Sequence, residues 1–300
     1  MSTVVALGGN ALMRPGERGT AAEQLANLRR AVTALRPVLA ESEGLVITHG
    51  NGPQVGNELL RQERAAAEAP PLPLWLAVAQ TQAEIGALIA AELRPALAER
   101  AVACVLTHVR VAPDDPAFDR PTKPIGPFYS AEEAETLERE RGWVLVSDAN
   151  RGHRRAVPSP TPLEIVELDA IRRLAGAGTV TIACGGGGIP VTRSGARLSG
   201  VDAVIDKDRA SALLARELDA ERLIILTEVP AVYRSFGDQD QEEIRELSRN
   251  DAEALLPQLS EGSMRPKIES ALGFAGETLI TSFDALEDAL AGRAGTRVRP

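Results

Sequence analysis

The sequence predicts an α/β protein: a mainly parallel sheet with helices on both faces, and a small protruding lobe. Three observations predict it. Short β-branched or aliphatic runs recur along the chain, amphipathic segments separate most of them, and one proline-dense stretch interrupts the rhythm. Strands that alternate with helices need crossover connections. Those lay the strands parallel and put helices over both faces of the sheet.

The runs are TVVAL, GLVIT, VACVLTHV, GTVTIA, RLIILT and ETLITS. Between them, AAEQLANLRRAVTALRPVLA and PLEIVELDAIRRLAGA read as amphipathic helices. In the second, Ile165, Val166, Leu168, Ile171 and Leu174 approximate a buried stripe. Cys104 and Cys184 lie in apolar runs and read as buried strand thiols. Two cysteines are too few for a disulfide scaffold, and they lack metal-ligand spacing.

Between Pro113 and Pro162 lie eight of the 20 prolines, a density that speaks against regular helix or central strand. Phe118, Ile125, Phe128, Tyr129 and Trp143 make the same stretch too apolar for a flexible tether. The expectation is one domain over residues 1–300, with residues 113–162 inserted as an ordered lobe or lid.

A formal net charge of −9 argues against non-specific nucleic-acid binding. It leaves room for small anionic substrates, because a cationic pocket can sit in an acidic protein. The segment LWLAVAQTQAEIGALIAAEL is interrupted by Gln80, Gln82 and Glu84, so no membrane span is expected. MSTVVALGGN lacks the basic and apolar regions of a signal peptide. A cytoplasmic location is expected.

Three runs end in glycine: at Gly8-Gly9-Asn10, at Gly50-Asn51-Gly52 and at Gly185-Gly186-Gly187-Gly188. Ligands of open α/β sheets bind at the carboxyl ends of strands, where glycine lets backbone N–H groups come close to an anion. One such junction is more often a tight connection, but three in one sheet favour an anion site. The sequence contains no G-x-x-x-x-G-K-[ST] and no G-x-S-x-G. GNGPQVG misplaces a glycine for a dinucleotide fingerprint, and His49, His108 and His153 lack partners at zinc-ligand spacing.

Of 33 Lys plus Arg, only Lys123, Lys207 and Lys267 are lysine, which leaves 30 arginines. Lys207 opens the helix DRASALLAREL, Lys267 opens KIESALGFA, and Lys123 lies in the proline-dense stretch. A chain that prefers arginine keeps lysine where a compact charge on a thin stem is needed and a planar fork is not. Two anions about 4 Å apart repel by roughly 4 kcal/mol at an effective dielectric near 20. A site that joins a nucleotide to an anionic acceptor must cancel that repulsion, and phosphoryl transfer otherwise needs mostly alignment. Asp208, next to Lys207 at the helix start, is placed to orient the amines; its alternative role is a helix-start carboxylate.

VVALGGNAL, VITHGNGPQVG, PTKPIGPFY, RRAVPSP, CGGGGIPV, VDAVIDKDRASALLA and GSMRPKIESA together resemble carbamate kinases of the amino acid kinase superfamily, from Val4 to the terminal GTRVRP. The resemblance implies a three-layer α/β/α sandwich, a homodimer and a place in arginine or purine-derivative breakdown. It implies the reversible reaction ATP + carbamate ⇌ ADP + carbamoyl phosphate, with Mg²⁺ carried by the nucleotide phosphates. Lys123, Lys207 and Lys267 would contact the phosphoryl group, with Asp208 organising them. Gly8, Gly9, Asn10, Gly50, Asn51 and Gly52 would cradle carbamate or carbamoyl phosphate. Thr227, Glu228, Val229, Tyr233 and Met264 would lie near ADP.

Sister kinases of the superfamily usually carry lysine where this chain has Ala6. Two departures from the carbamate kinase pattern stand out: Leu226-Thr227-Glu228-Val229-Pro230 replaces LTDVD, and Arg265 replaces a glycine. The alternatives are a kinase for another small carboxylate, a non-catalytic nucleotide sensor and, on weaker grounds, a dinucleotide dehydrogenase.

Overall fold

The computed structural model describes residues 2–14, 16–147, 152–259 and 264–299, with the side chain of Asn10 left outside that description. Its centre is an eight-stranded sheet. From one edge the order is Glu246–Leu247, Thr296–Val298, Glu277–Ser282, Arg222–Thr227, Ser2–Leu7, Gly44–His49, Val180–Ile182 and Val102–Cys104. Every neighbouring pair is parallel except Glu277–Ser282 with Thr296–Val298.

Successive strand residues face opposite sides of a sheet, and Ser2–Leu7 shows what this does. Val4 and Ala6 join one apolar core, with Ala210 and Leu214 of the helix Lys207–Glu217 and Ile268 of the helix Met264–Phe274. Val5 and Leu7 join the other, with Leu28 of the helix Ala21–Ala34 and Ile85 and Ile89 of the helix Leu74–Leu93. The strand is apolar on both faces because both are covered. The result is the three-layer sandwich.

The helix Leu74–Leu93 is, with the turn that follows it, long and apolar enough to cross a membrane by length and composition. Here it is a core helix: Ala77, Val78, Ile85 and Ile89 are buried, as are its polar residues Thr81 and Gln82.

Several local expectations change. Ile165 and Val166 do not belong to a helical stripe. Glu164–Ile165 pairs as a strand with Val109 and Arg110, and the helix begins at Leu168. The run VACVLTHV divides between two sheets, as Val102–Cys104 and His108–Arg110. AAEQLANLRRAVTALRPVLA forms two helices, Ala21–Ala34 and Arg36–Glu41, with Pro37 in the first turn of the second. Cys184 is buried, but Cys104 is exposed because its strand forms the sheet edge.

The proline-dense stretch holds regular structure after all. Lys123–Tyr129, His153–Val157 and Val144–Ser147 form an antiparallel sheet, and the helix Ala131–Arg141 lies between its strands. Pro124 and Pro127 are accommodated because their strand is an edge strand, with an irregular register between Ile125 and Tyr129. The helix contains no proline, and a Ser130–Glu133 capping box starts it. This lobe rests on the helix Gly52–Ala65. Gly56 meets Gly126 so closely that a Cβ on Gly56 would fall 1.9 Å from the Gly126 Cα. Glu63 pairs with Arg141 and Arg155, and Arg155 also lies 4.4 Å from the ring centre of Trp143.

Candidate active site

The site begins with the start of one helix. Asp206 is the N-cap of Lys207–Glu217, and its Oδ1 accepts from the backbone N–H groups of Asp208 (2.9 Å) and Arg209 (3.3 Å). Ser211 Oγ donates to the Lys207 carbonyl at 2.6 Å and lies 2.6 Å from Thr48 Oγ1 on the neighbouring strand. The first turn is therefore fixed both to itself and to the sheet.

Around it the three lysines converge. Lys123 Nζ, from the lobe, lies 2.5 Å from Asp206 Oδ2. Lys207 Nζ lies 2.5 Å from Asp208 Oδ1, and Lys267 Nζ lies 3.1 Å from Asp208 Oδ2. Positions separated by 84 and 60 residues along the chain thus meet on two carboxylates two residues apart. Arg209 and Arg265 both pair with Glu269, at 2.7 and 3.0 Å, which ties the helix of Lys207 to that of Lys267. Arg265 has Glu269 as a partner on its own helix, which draws its guanidinium along that helix.

The electrostatics follow from burial and mutual charge. Burial alone would raise the Asp206 carboxyl, yet Lys123, Lys267 and Lys207 outweigh it and hold the group well below the usual range. Asp208 is likewise held down: Lys207 and Lys267 overcome burial and the charge of Asp206. Burial pulls the Lys207 ammonium down, more than Asp208 restores it. Lys267 suffers the same burial but is raised, because Asp208, Asp206 and, more weakly, Glu228 act on it. Both carboxylates are ionised and engaged, so neither is placed as a general base.

The glycine turns border this cluster. A Cβ on Gly50 would meet only the stem of Lys207, at 3.7 Å; one on Gly52 would come no closer than 3.9 Å to the Pro124 carbonyl. Neither has a left-handed backbone. Asn51 is buried, and its amide donates to Thr81 Oγ1 at 3.0 Å, so it holds the turn and does not point at solvent. Gly8 packs against the end of the neighbouring parallel strand, where a Cβ would meet the Leu226 carbonyl at 2.4 Å; Gly9 has open space. Asn10 can be placed only by its backbone, in the turn Gly9–Ala11.

Thr227 ends its strand; Glu228 is exposed and Val229 half-buried. Tyr233 sits on the hairpin Val232–Arg234/Glu242–Ile244, and its ring contact is with Phe236, at 5.8 Å. Met264 is half-buried against the core beneath the helix it opens. The structure therefore joins the lysines, Asp208 and Gly50 directly. The residues assigned to the nucleotide lie on three elements: the strand end at Thr227, the hairpin that carries Tyr233 and the helix that Met264 opens.

Two participants escaped the sequence reading. The sequence reading gives Asp206 no role; a helix-capping aspartate just before an apolar run is the available signal. His49 is fully buried, its Nδ1 is 3.0 Å from the Gly50 carbonyl and its Nε2 has no hydrogen-bond partner among the described residues. Burial, with a smaller effect from the Lys207 charge, pulls its pKa down to about 4. It stays neutral beside the ammonium groups. Among the described residues no three His, Cys, Asp or Glu side chains gather to hold a metal ion.

Comparison with known proteins adds independent findings. The model of the amino acid kinase family matches residues 1–281. A carbamate kinase of Halobacterium salinarum is 45% identical, with 99% of this chain and 98% of the relative covered. Two structures of carbamate kinase from Giardia lamblia, each 36% identical, cover 99% of this chain and 98% of their own. The one bound to citric acid superposes with a TM-score of 0.93, and the one bound to AMP-PNP with 0.89.

Proposed function

The chain belongs to the amino acid kinase family and, within it, to the carbamate kinases, and from that premise we propose how its residues carry the reaction. A terminal oxygen of the ADP β-phosphate attacks the phosphorus of carbamoyl phosphate. The bond from phosphorus to the carbamoyl oxygen breaks, and carbamate leaves as an anion. No proton changes hands, which suits a site whose two carboxylates are both occupied by lysines. The convergence of three amines on Asp206 and Asp208 is the observation that carries this reading.

Lys207 and Lys267 neutralise the equatorial oxygens of the moving group, and Asp208 holds both amines in register. Lys123 approaches from the lobe, which we take as residues 113–162 inserted in a single domain of residues 1–300. Gly9, Gly50 and Gly52 leave room for an anion to reach backbone N–H groups, with Gly8, Asn10 and Asn51 shaping the turns. Thr227, Glu228, Val229, Tyr233 and Met264 border the nucleotide. Mg²⁺ travels on its phosphates and supplies charge neutralisation there. We further propose a homodimer working in the cytoplasm.

The test is direct. Purified protein given carbamoyl phosphate, ADP and Mg²⁺ forms ATP, and in the reverse direction carbamate outcompetes acetate and other small carboxylates as acceptor. Binding of ADP by calorimetry with no turnover at any pH would contradict the assignment.

A further inference from the structure

Gln82, one of two glutamines that interrupt the most apolar helix, has a use inside the protein. Gln82 is 1% exposed, yet its amide is fully engaged: Nε2 donates to the Gly185 carbonyl at 2.7 Å, and Oε1 accepts from the Thr107 backbone N–H at 2.6 Å. Thr107 passes the connection on, since its Oγ1 accepts from the Cys184 N–H at 3.0 Å. Cys184 and Gly185 begin the tetraglycine turn, so Gln82 holds Gly185 directly and Cys184 through Thr107.

The preceding residue reaches the other turn. Thr81 is also 1% exposed; its hydroxyl donates back to its own helix, at the Ala77 carbonyl (2.8 Å), and its oxygen accepts from Asn51 Nδ2. Asn51 in turn lies against Gly186, where a Cβ would fall 2.3 Å from Nδ2. Two adjacent residues on one rigid helix therefore grip two turns that lie 134 residues apart in sequence.

We propose that Thr81 and Gln82 are positioning residues for the phosphoryl-transfer site: together they set the Gly50–Gly52 turn against the Gly185–Gly188 turn so that the backbone donors of the former meet the substrate anion. A buried amide is costly unless all its bonds are made. Both sides of this one are matched, so the network has a single low-energy arrangement. Removing either side chain lets the Gly50–Gly52 turn drift relative to Lys207. Neither residue touches the reacting atoms.

This inference rests on the proposed function, and its test separates the two. Gln82→Met keeps length and loses the amide; Thr81→Val keeps shape and loses the hydroxyl. The full chain is assayed with carbamoyl phosphate, ADP and Mg²⁺. If the parent makes no ATP, the functional assignment fails before any variant is examined.

With an active parent, Gln82→Met should raise KM for carbamoyl phosphate about tenfold while KM for ADP stays within about twofold, a loss on the scale of the roughly hundredfold that a 1 Å misplacement can cost. Thr81→Val should move the same constant in the same direction by less. A purely architectural role lowers Tm or the active fraction, which scales the rate and leaves both KM values alone; that result overturns the proposal. Should Gln82→Met fail to fold, Thr81→Val decides alone, and an unchanged KM for carbamoyl phosphate in it overturns the proposal equally.

Discussion

The turns Gly50–Gly52 and Gly185–Gly188 follow neighbouring parallel strands at the same end of the sheet, and their glycines answer different demands. In the second, Gly187 has φ +89° and a Cβ there would fall 2.2 Å from the Ile205 carbonyl, while a Cβ on Gly185 would fall 2.3 Å from His49 Nε2. That turn is glycine because the protein itself fills the space. Gly50 has an ordinary backbone and only the Lys207 stem nearby. Nothing in the fold requires it to be glycine, which fits the proposed role of leaving an anion room at its N–H. Glycine as packing and glycine as access look alike in sequence and part only when the neighbours are known.

The lysine cluster belongs with the access side of this comparison, and the largest expected effect lies there. Lys207→Arg conserves charge but puts a planar fork into a space shaped by the Gly50 turn and Asp208. We expect kcat to fall by roughly a hundredfold or more, as when a preorganised charge is displaced, with ADP affinity by calorimetry little changed. On the packing side, Gly187→Ala should destabilise by about 3 kcal/mol or more through its left-handed backbone and the clash with Ile205. Urea unfolding measures it. A midpoint equal to the parent's would place both turns in one class.

His49 sharpens the contrast through pH. Its ordinary value is 6.5, and in the fold it is pulled down to about 4. As pH falls below 6.5 the unfolded chain takes up a proton that the folded chain refuses, so stability present above that value is lost on the way to 4. The full loss is about 3 kcal/mol. Unfolding curves between pH 7 and 4 should show this slope in the parent and a much shallower one in His49→Gln. The smallest effect is expected at Gly50→Ala: KM for carbamoyl phosphate rises about tenfold, with the urea midpoint unchanged because the Cβ finds room.

Much of the architecture was legible because strand and helix periodicities are local. The runs ending at Leu7, His49 and Thr227 became central strands, and Lys207 opened a helix as its apolar spacing implies. Legibility failed where long-range partners decide. Ile165 fits a helical stripe, but pairing with Val109 made it a strand. Cys104 has buried-strand neighbours in sequence, but a place at the sheet edge exposed it.

Pro124 and Pro127 read as breakers, yet an irregular edge strand has room for residues that cannot donate. At the site, the scarcity of lysine picked out three residues that do converge. Asp206 was overlooked because one carboxylate serves as helix cap and lysine partner at once, and only the cap has a local signature. Thr81 and Gln82 carried no signal beyond polarity in an apolar helix.

The scarcity of lysine also offers the most direct test of the central claim, that three amines surround one travelling phosphoryl group. Protein labelled with ¹⁵N in its lysine side chains should give three ammonium resonances, one each for Lys123, Lys207 and Lys267. Adding Mg²⁺, AMP-PNP and carbamate should shift all three together. A signal that stays in place at saturation would remove its lysine from the site and contradict the account.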